Sequence, residues 1–362
     1  MRKYYLDNIR WITIVIVVFY HMIYIYNGII PAGVVGPFYE KQWWDGFQYL
    51  CYPWFMVLLF IVAGITSRYY LDSHPIKEFI KARTLKLLVP CTIGILVFQW
   101  IQGLVNVALS KAFEQMPGSP LVVKIVIVLA SGIGVLWFIQ MLWLFSLLLA
   151  LVRKFEKGCF CKVCSKTVVV ILYMLGIPVY FAAQVLNTPA IVVYRFGVYG
   201  LVFFIGYFVF SNEEVIERLS KLYILIPNIV ISIGLGIAYT VKEFGNNYAD
   251  KEYFGSILSV AFCWITCLAI LGGFYRWGNK TGKFASFMSG RSFGIYVFHY
   301  LGISLSAYLL NRYTNIPALP CYIITLLSGF VFGLGLNEII SRIPFIRWCV
   351  LGIKKKKTEK QA

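Results

Sequence analysis

An arginine and a histidine share the first apolar segment, "LDNIRWITIVIVVFYH" (residues 6–21). On a helix, Arg10 and His21 lie about 16 Å apart along the axis. Ionisable side chains are costly at membrane depth, and their presence there indicates a function. A neutral imidazole can act as a general base near physiological pH and take the proton of a hydroxyl that attacks an acyl carbonyl. Arg10 could bind phosphates, so the pair suits a donor such as acyl-coenzyme A (acyl-CoA), phosphorylated at one end and reactive at the other.

Each of the two residues also has a purely structural interpretation. Arg10 lies near the predicted cytoplasmic boundary, where an arginine can extend its charged group towards water without any ligand. His21 could be a packing histidine that is satisfied by its neighbours. The cost of burying an ionisable group favours a functional role for His21, while the two interpretations of Arg10 stay open.

The elements that must position these side chains are membrane-spanning helices. Of the 362 residues, 60% are hydrophobic and 13% are charged, about half the charged fraction of a soluble protein. Ten apolar blocks of bilayer-spanning length follow one another. The sequence therefore predicts an all-α integral membrane protein, with one transmembrane domain over 1–345 and a basic cytoplasmic tail over 346–362. The blocks are 10–30, 50–70, 87–109, 121–152, 167–186, 194–210, 221–241, 254–275, 291–310 and 319–340.

The fourth block is too long for one straight crossing, and "LASGIGVLW" could break it. If residues 121–152 cross once, 26 of the 33 Lys and Arg fall on one side and 7 on the other. If these residues crossed twice, the basic loops of the N-terminal half and those of the C-terminal half would lie on opposite sides of the membrane. The positive-inside rule thus predicts ten helices with both termini in the cytoplasm, and residues 121–131 as an interfacial or re-entrant lead-in.

The net charge of +18 is explained mainly by this cytoplasmic face and by the tail "KKKKTEK". Such a tail can bind anionic lipid head groups. Membrane lipids are therefore expected partners, and nucleic acid is not. The plasma membrane is the expected location. The cysteines of "CFCKVC" (residues 159–164) lack a fourth zinc ligand nearby, which favours reduced or lipidated cysteines over a metal site.

Five segments, in order, resemble the acyltransferase 3 family of membrane enzymes. In the first helix the family carries an arginine or lysine, then ten intervening residues, then a histidine, and Arg10 and His21 match this pattern. "LLFIVAGITSRYYL" resembles the family's second-helix segment, but here Ala63-Gly64 replaces the usual Ser-Gly. "FIKARTLKLLVP" resembles the family's basic stretch, with Arg83 and Lys86 at the positions where two arginines are usual. "GVLWFIQMLWLF" and "SFGIYVFH" resemble its Trp-Phe helix and its late histidine helix. "YYLDNIR" and "ITSRYYL" further resemble the glucan-succinylating branch.

This resemblance implies an acyltransferase that moves a group other than an aminoacyl group, with cytoplasmic acyl-CoA as donor substrate and no tightly bound cofactor or metal. The acceptor would be a hydroxyl of a surface or periplasmic carbohydrate or glycolipid. His21 would be the base, and Arg10, Arg83 and Lys86 would bind the donor phosphates. Lysine lacks the bidentate fork of arginine, which weakens the expectation for Lys86. The acyl group, acetyl or succinyl, stays open.

Further polar and aromatic side chains are candidates to line the same cavity. His299 is predicted at a depth similar to that of His21, although a tyrosine neighbour such as Tyr296 could equally satisfy it as a packing residue. Trp137 and Gln140 lie on the fourth block, where a tryptophan is more often a core or interfacial residue. Glu338 is expected to pair with Arg342, one helical turn further on.

Other functions and sites fit parts of the sequence. A transporter or flippase for a glycolipid or small solute is the main alternative, but the chain shows no paired, broken segments in two halves. A scaffold would leave the membrane histidines as packing residues. The aromatic outer loop 31–49 is typical of a membrane-interface belt, with a sugar site as the lesser hypothesis. No nucleophile motif stands out, so direct transfer in a ternary complex is expected.

Overall fold

The computed structural model describes residues 3–30, 33–156, 158–188 and 191–354, and it is all-α over these ranges. An isolated bridge between Asn187 and Arg195 is the sole β-type pairing in this part of the chain. Helices of eight or more residues are labelled in chain order. They are Tyr4–Tyr24 (α1), Phe55–Ser73 (α2), Ile76–Arg83 (α3), Trp100–Ser110 (α4), Leu121–Ser131 (α5), Trp137–Glu156 (α6), Gly176–Gln184 (α7), Phe196–Ile205 (α8), Leu222–Glu243 (α9), Ile257–Trp277 (α10), Lys283–Tyr313 (α11), Ala318–Arg342 (α12) and Pro344–Leu351 (α13).

Shorter helical segments connect these helices or continue them. Pro90 in the third predicted block has no backbone N–H to donate, and wide π-helical turns lie on both sides of it. The α-helical segments are Gly46–Cys51, Ala112–Gln115, Cys159–Cys164, Val169–Met174, Glu213–Leu219 and Lys251–Phe254. The π-helical ones are Thr84–Leu88, Ile95–Gln99 and Gly206–Phe210, and the 3₁₀ ones are Trp43–Asp45 and Gly134–Leu136.

The predicted multi-pass membrane fold is confirmed. Seven helical stretches of the described chain are long and apolar enough to cross a bilayer, and an eighth results if the bent pair Phe196–Phe210 and Glu213–Leu219 is one span. The blocks 87–109 and 167–186 contain the shorter apolar helices Ile95–Ser110 and Val169–Gln184. The count of ten crossings and the cytoplasmic termini stay predictions.

Helix α2 lies at the centre of the bundle and packs closely against α8. A glycine lies on each side of the crossing, Gly64 in α2 and Gly206 in the π-helical turn that continues α8. A Cβ on Gly64 would overlap the carbonyl oxygen of Phe203, and one on Gly206 would overlap that of Ile61. Glycine therefore permits backbone contact that any larger residue would prevent, as is common between membrane helices. This close approach fixes the positions of Thr66 and Ser67, which lie two and three residues beyond Gly64 on the same helix.

The fourth block breaks where the glycines of "SGIG" occur. Helix α5 ends at Ser131, Gly134 adopts a left-handed φ of 42°, and α6 begins at Trp137. Helix α5 packs on α4, and Asn106 of α4 donates to the carbonyl of Ser131, the last residue of α5, at 2.8 Å. The far end of the fourth block lies at the other end of the bundle, where Arg153 approaches Asp72 at 3.6 Å. The fourth block is therefore two helices, α5 and α6, joined at this glycine break, and the single crossing stays a prediction.

The N-terminal and C-terminal helices pack together. Helix α1 lies against α11, which forms an antiparallel pair with α12. Helix α13 follows α12 directly, and its residues Cys349, Val350 and Leu351 are buried. Residues 346–351 are therefore packed against the bundle. The lysine-rich part of the predicted tail, residues 355–362, lies outside the described residues.

Candidate active site

Two histidines from distant parts of the chain meet inside the bundle. Helix α1 carries His21 and helix α11 carries His299, and the Nδ1 of His21 lies 3.1 Å from the Nε2 of His299. His299 is fully buried, with its Nδ1 at 3.0 Å from the Ile295 carbonyl and at 2.9 Å from that of Tyr296. The Nδ1 of His21 lies 2.9 Å from the Val17 carbonyl. The two rings form one hydrogen-bonded chain anchored to backbone carbonyls at both ends.

The partners of this chain determine where the protons of the neutral rings lie. A carbonyl oxygen can only accept, so the Nδ1 of His299 carries a hydrogen and its Nε2 has a free lone pair. The Nδ1 of His21 then faces two acceptors, the Val17 carbonyl and the Nε2 of His299, and must carry a hydrogen as well. The Nε2 of His21 is therefore the nitrogen with a free lone pair, the form that a general base needs.

His21 lines a cavity of about 510 Å³, here called the His21 cavity. The walls are mainly aromatic: Tyr20 and Tyr300 flank the imidazole, each with its ring centroid within 5.1 Å of that of His21. Amide and hydroxyl groups occur among the lining residues, and none of the described residues contributes a carboxylate. The polar and aromatic lining comprises Tyr20, Tyr24, Tyr52, Asn106, Ser110, Ser131, Trp137, Tyr199, Asn247, Tyr296 and Tyr300.

The three predicted phosphate-binding residues meet at a second cavity, of about 300 Å³. Arg10, Arg83 and Lys86 line this cationic cavity together, although they come from α1, α3 and the π-helical turn after α3. Arg10 donates to Thr66 at 2.6 Å, and Arg83 donates to Ser67 at 2.9 Å. The segment "ITS" of α2 therefore positions both guanidinium groups, which the sequence did not reveal.

Little negative charge opposes these three cations. Asp7 lies 3.6 Å from Arg10, and within the described ranges Arg83 and Lys86 form no ion pair with a carboxylate. Burial lowers the pKa of Arg83 to about 10, with a further contribution from the nearby Arg10 charge. Arg83 thus keeps its charge at neutral pH. The cavity combines net positive charge with partial shielding from water, as a phosphate site requires.

Lys86 is held by contacts from two other helices. Its ammonium group donates to the Leu351 carbonyl of α13 at 3.0 Å and lies 4.0 Å from the centroid of the Phe293 ring. Burial lowers the pKa of Lys86 to about 8, because the charged form loses hydration. Lys86 is therefore protonated below this pH and progressively neutral above it.

This pKa predicts that binding of a phosphorylated donor weakens in alkaline solution. A group that binds the anion only when protonated lowers the affinity as pH rises through its pKa. We expect the affinity for acetyl-CoA, measured by calorimetry, to fall by about tenfold between pH 7 and pH 9.5 through loss of one charged contact. The variant Lys86→Arg is the control: arginine stays charged over this range, so its affinity should vary by less than about twofold. Equal pH dependence in both proteins would contradict the assignment.

The cationic cavity and the His21 cavity follow one another along the same helices. On α1 the lining passes from Arg10 and Ile14 to Val17 and His21. Within the described part of the chain, Tyr296 is the one residue that lines both cavities. Its hydroxyl donates to the Val135 carbonyl, at the break between α5 and α6. The Tyr296 ring therefore forms the wall between the cavities.

The other sequence candidates take different places. Trp137 lines the His21 cavity. Gln140 does not line it and instead accepts a hydrogen bond from Tyr194. His299 lies one layer behind His21 rather than in the cavity wall. Glu338 pairs with Arg342 at 2.7 Å, which confirms that expectation, and approaches Arg291 at 3.6 Å. Cys161 and Cys164 are buried and free; of the Cys159 side chain nothing is described.

Comparison with known proteins decides the family. A family model described as "Acyltransferase domain" (acyltransferase 3) matches residues 3–337, nearly the whole chain. The chain belongs to the acyltransferase 3 family. No curated protein and no solved structure matches it. The acyltransferase 3 match spans both cavities and all the helices that line them, from α1 to α11.

Membership settles the general activity. This acyltransferase 3 protein is a membrane-embedded, multi-pass acyltransferase that transfers groups other than aminoacyl groups. The family match extends over Arg10, His21, Arg83, Lys86 and His299. The predicted resemblance to the family is thereby confirmed, and membership in the glucan-succinylating branch stays a prediction.

Proposed function

We propose that this enzyme transfers an acetyl or succinyl group from cytoplasmic acyl-CoA to a hydroxyl of a surface or periplasmic carbohydrate or glycolipid, at the plasma membrane. The observation that carries the proposal is the pair of cavities. One holds three cations, the next holds a histidine with a free lone pair, and the Tyr296 ring separates them. A donor with phosphates at one end and a thioester at the other matches this arrangement.

In this proposal the cationic cavity binds the phosphates of acyl-CoA. Arg10 and Arg83 are each fixed by one hydrogen bond to α2 and retain further N–H groups for phosphate oxygens. The flexible arm of the donor then extends along α1 past Tyr296. This brings the thioester to His21, about 16 Å from Arg10 along the helix.

The proposed chemical step is a direct acyl transfer. The Nε2 of His21 removes the proton of the acceptor hydroxyl while its oxygen attacks the thioester carbonyl. The tetrahedral intermediate then collapses, the C–S bond breaks, and the coenzyme A thiolate leaves and takes the proton from His21. The hydrogen bond from the Nδ1 of His21 to His299 holds the ring in the required tautomer and stabilises its protonated form. Acyl-CoA is consumed as a substrate, and no tightly bound cofactor or metal is proposed.

The aromatic lining of the His21 cavity supports a carbohydrate acceptor. Sugar rings present apolar C–H faces and polar edges, which match aromatic rings with a few amide and hydroxyl groups beside them. Tyr20, Tyr300 and Trp137 provide such faces, and Asn106 and Asn247 provide amides. Each of these groups is neutral, so they can bind hydroxyl groups without a charged partner.

Binding of the two candidate donors tests the proposal. Purified enzyme in detergent is titrated by calorimetry with acetyl-CoA, succinyl-CoA and free coenzyme A. We expect binding of the esters, and release of coenzyme A when a glycan acceptor is added. Failure of all three compounds to bind the folded enzyme at millimolar concentration would remove the basis of the donor assignment. Substrate flux across vesicles without consumption of acyl-CoA would instead support a transporter.

The Tyr296 wall yields a prediction about coupling. In Tyr296→Ala the two cavities merge, so water of the cationic cavity reaches the thioester at His21 before the acceptor does. We expect the ratio of acyl transfer to acyl-CoA hydrolysis to fall by about tenfold, since exclusion of water prevents such side reactions. The ratio follows from acylated product and total coenzyme A release.

The matched control for this prediction is Tyr296→Phe. It keeps the ring that separates the cavities and loses only the hydrogen bond to the Val135 carbonyl. We expect this variant to retain the wild-type ratio within about threefold, since one neutral hydrogen bond contributes little. A normal ratio in Tyr296→Ala would show that the ring is not the barrier.

A further inference from the structure

Tyr300 places a phenol hydroxyl in the His21 cavity. It follows His299 on α11, and its ring centroid lies 5.0 Å from that of His21. Among the described residues none forms a hydrogen bond with the Tyr300 hydroxyl, yet its oxygen is not one of the polar atoms that packing closes off from open space. Because Tyr300 lines the His21 cavity, its hydroxyl meets the space of that cavity.

Two other tyrosines of the cavity have hydroxyls that are already bound to the protein. The Tyr20 ring is about as close to the imidazole as that of Tyr300, with the centroids 5.1 Å apart, but its hydroxyl pairs with that of Tyr248 at 3.0 Å. The Tyr296 hydroxyl donates to the Val135 carbonyl. Of these three phenols, that of Tyr300 is the one available to a molecule in the cavity.

Tyr300 lies where an acyl donor would enter the His21 cavity. Ser292 and Phe293 of α11 line the cationic cavity, and Tyr296, about one turn further on, forms the wall between the cavities. Tyr300 follows Tyr296 by four residues, so both lie on one face of α11, about 6 Å apart along the axis. A donor arm that passes Tyr296 towards His21 therefore brings its thioester beside Tyr300.

The proposed reaction develops a negative charge that needs a hydrogen-bond donor. When the acceptor oxygen bonds to the thioester carbonyl carbon, the carbonyl oxygen becomes an oxyanion. His21 does not supply the donor, because its Nδ1 hydrogen faces His299 and the Val17 carbonyl while its Nε2 takes the acceptor proton. A phenol keeps its hydrogen at neutral pH and can donate to such an oxygen. In a site shielded from water, a positioned donor of this kind contributes strongly to catalysis.

We propose that the Tyr300 hydroxyl donates a hydrogen bond to the thioester carbonyl oxygen and stabilises the oxyanion of the tetrahedral intermediate. The phenol keeps its hydrogen throughout. When the C–S bond breaks, the carbonyl re-forms, and the negative charge leaves with the coenzyme A sulfur, which takes the proton from His21. This assignment rests on the proposed function, which brings the thioester into the His21 cavity. Helix α1 then supplies the base, and α11 supplies the oxyanion donor.

Tyr300→Phe tests this role, because it removes the hydroxyl and keeps the ring. We expect kcat for acyl transfer to fall by about 10²- to 10³-fold, the usual effect of losing one oxyanion donor. The Kd of acetyl-CoA, measured by calorimetry, and the KM of the acceptor should stay within about threefold, since the hydrogen bond strengthens as the charge develops. An unchanged kcat, or a loss confined to the KM of the acceptor, would overturn the proposal.

Tyr248→Phe is the matched control. It also removes a buried phenol hydroxyl close to His21, but Tyr248 does not line the His21 cavity and its hydroxyl pairs with that of Tyr20. We expect this variant to keep kcat within about threefold of wild type, because one neutral hydrogen bond contributes little. Equal losses of kcat in Tyr248→Phe and Tyr300→Phe would indicate a general effect on packing and would count against the proposal.

Infrared spectroscopy of the bound donor measures the hydrogen bond itself. Acetyl-CoA with an isotope-labelled thioester carbonyl is bound to the wild type without acceptor, and the carbonyl stretch is identified by isotope difference. A hydrogen bond lowers this frequency, so we expect the band at or below its position in water, and above it in Tyr300→Phe. The wild-type spectrum decides even where Tyr300→Phe does not fold, because a band above the position in water would contradict the assignment.

Failure of the proposed function gives a different result from failure of this proposal. In the first case the wild type neither binds acyl-CoA nor releases coenzyme A, and both assignments fall together. In the second case the wild type transfers the acyl group, and Tyr300→Phe transfers it at the same rate.

Discussion

Replacing His21 with alanine is expected to lower acyl transfer by about 10²- to 10⁴-fold, the usual contribution of a general base. The variant loses the nitrogen lone pair that accepts the hydroxyl proton, and it leaves the cationic cavity unchanged. Affinity for acyl-CoA should therefore stay within about threefold of wild type. The measurement is the initial rate of coenzyme A release with acceptor present, together with calorimetric binding of the donor.

The chain provides a matched control for this substitution. His74 lies between α2 and α3, is exposed, stacks on Tyr70 and lines neither the His21 cavity nor the cationic cavity. His74→Ala should transfer the acyl group at the wild-type rate within about twofold, as is usual for surface substitutions. If His21→Ala folds, binds donor and still transfers at more than about a tenth of the wild-type rate, His21 is not the base.

His299 should act on the reaction through His21 rather than by contact with substrate. His299→Leu removes the acceptor at 3.1 Å from the Nδ1 of His21, whereas His299→Gln offers an amide oxygen in its place. We expect His299→Leu to lower kcat and to shift its pH profile, and His299→Gln to restore part of both. If His299 only packs against its neighbours, His299→Leu should lower the stability of the protein and leave the pH profile of kcat unchanged.

Replacing Arg83 with methionine is expected to weaken acyl-CoA binding by about ten- to hundredfold. Hydrogen bonds to charged groups contribute roughly 1.5–3 kcal/mol, and Arg83 has no carboxylate partner within the described ranges that would neutralise its charge. Methionine keeps much of the side-chain length and apolar stem, which limits the packing change. Calorimetry with acetyl-CoA measures the effect, and kcat at saturating donor should change by less than about threefold.

Arg342→Met is the control for the loss of one basic residue. Arg342 lies at the end of α12, where its side chain is exposed and paired with Glu338. Exposed ion pairs contribute little, so donor affinity should stay within about twofold of wild type. Equal losses in the two variants would indicate a general effect of net charge rather than a phosphate site at Arg83.

Much of the fold could be predicted from the spacing of apolar blocks. All ten blocks contain helices, because runs of this length and apolarity have few other ways to satisfy their backbone. The predicted boundaries of the helices were less accurate. Helix α1 begins at Tyr4 rather than at residue 10, because Tyr5, Leu6 and Ile9 pack in the core although polar residues separate them in the sequence. Pro90 and the glycines of "SGIG" interrupt two blocks, and only the second break was anticipated.

The candidate site was predictable where one helix carries both residues, and less so where the fold joins distant ones. Arg10 and His21 follow from one helix, but the contact between His21 and His299 joins residues 278 positions apart. Arg195 is one of the 7 basic residues that the charge pattern predicts on the outer side, where an arginine at the start of an apolar block usually reaches water. Its burial depends on Phe254 and Ala249, which no local pattern connects to it.

The single shared wall residue has a consequence for how such enzymes diversify. Apart from Tyr296, the described residues that contact one cavity do not contact the other. Substitutions that change acceptor preference can therefore accumulate around His21 while the donor pocket is inherited intact. Under the proposed function, a gene lineage could adopt new acceptors without a new activated donor, and exchange of the His21 lining between relatives would transfer the acceptor specificity.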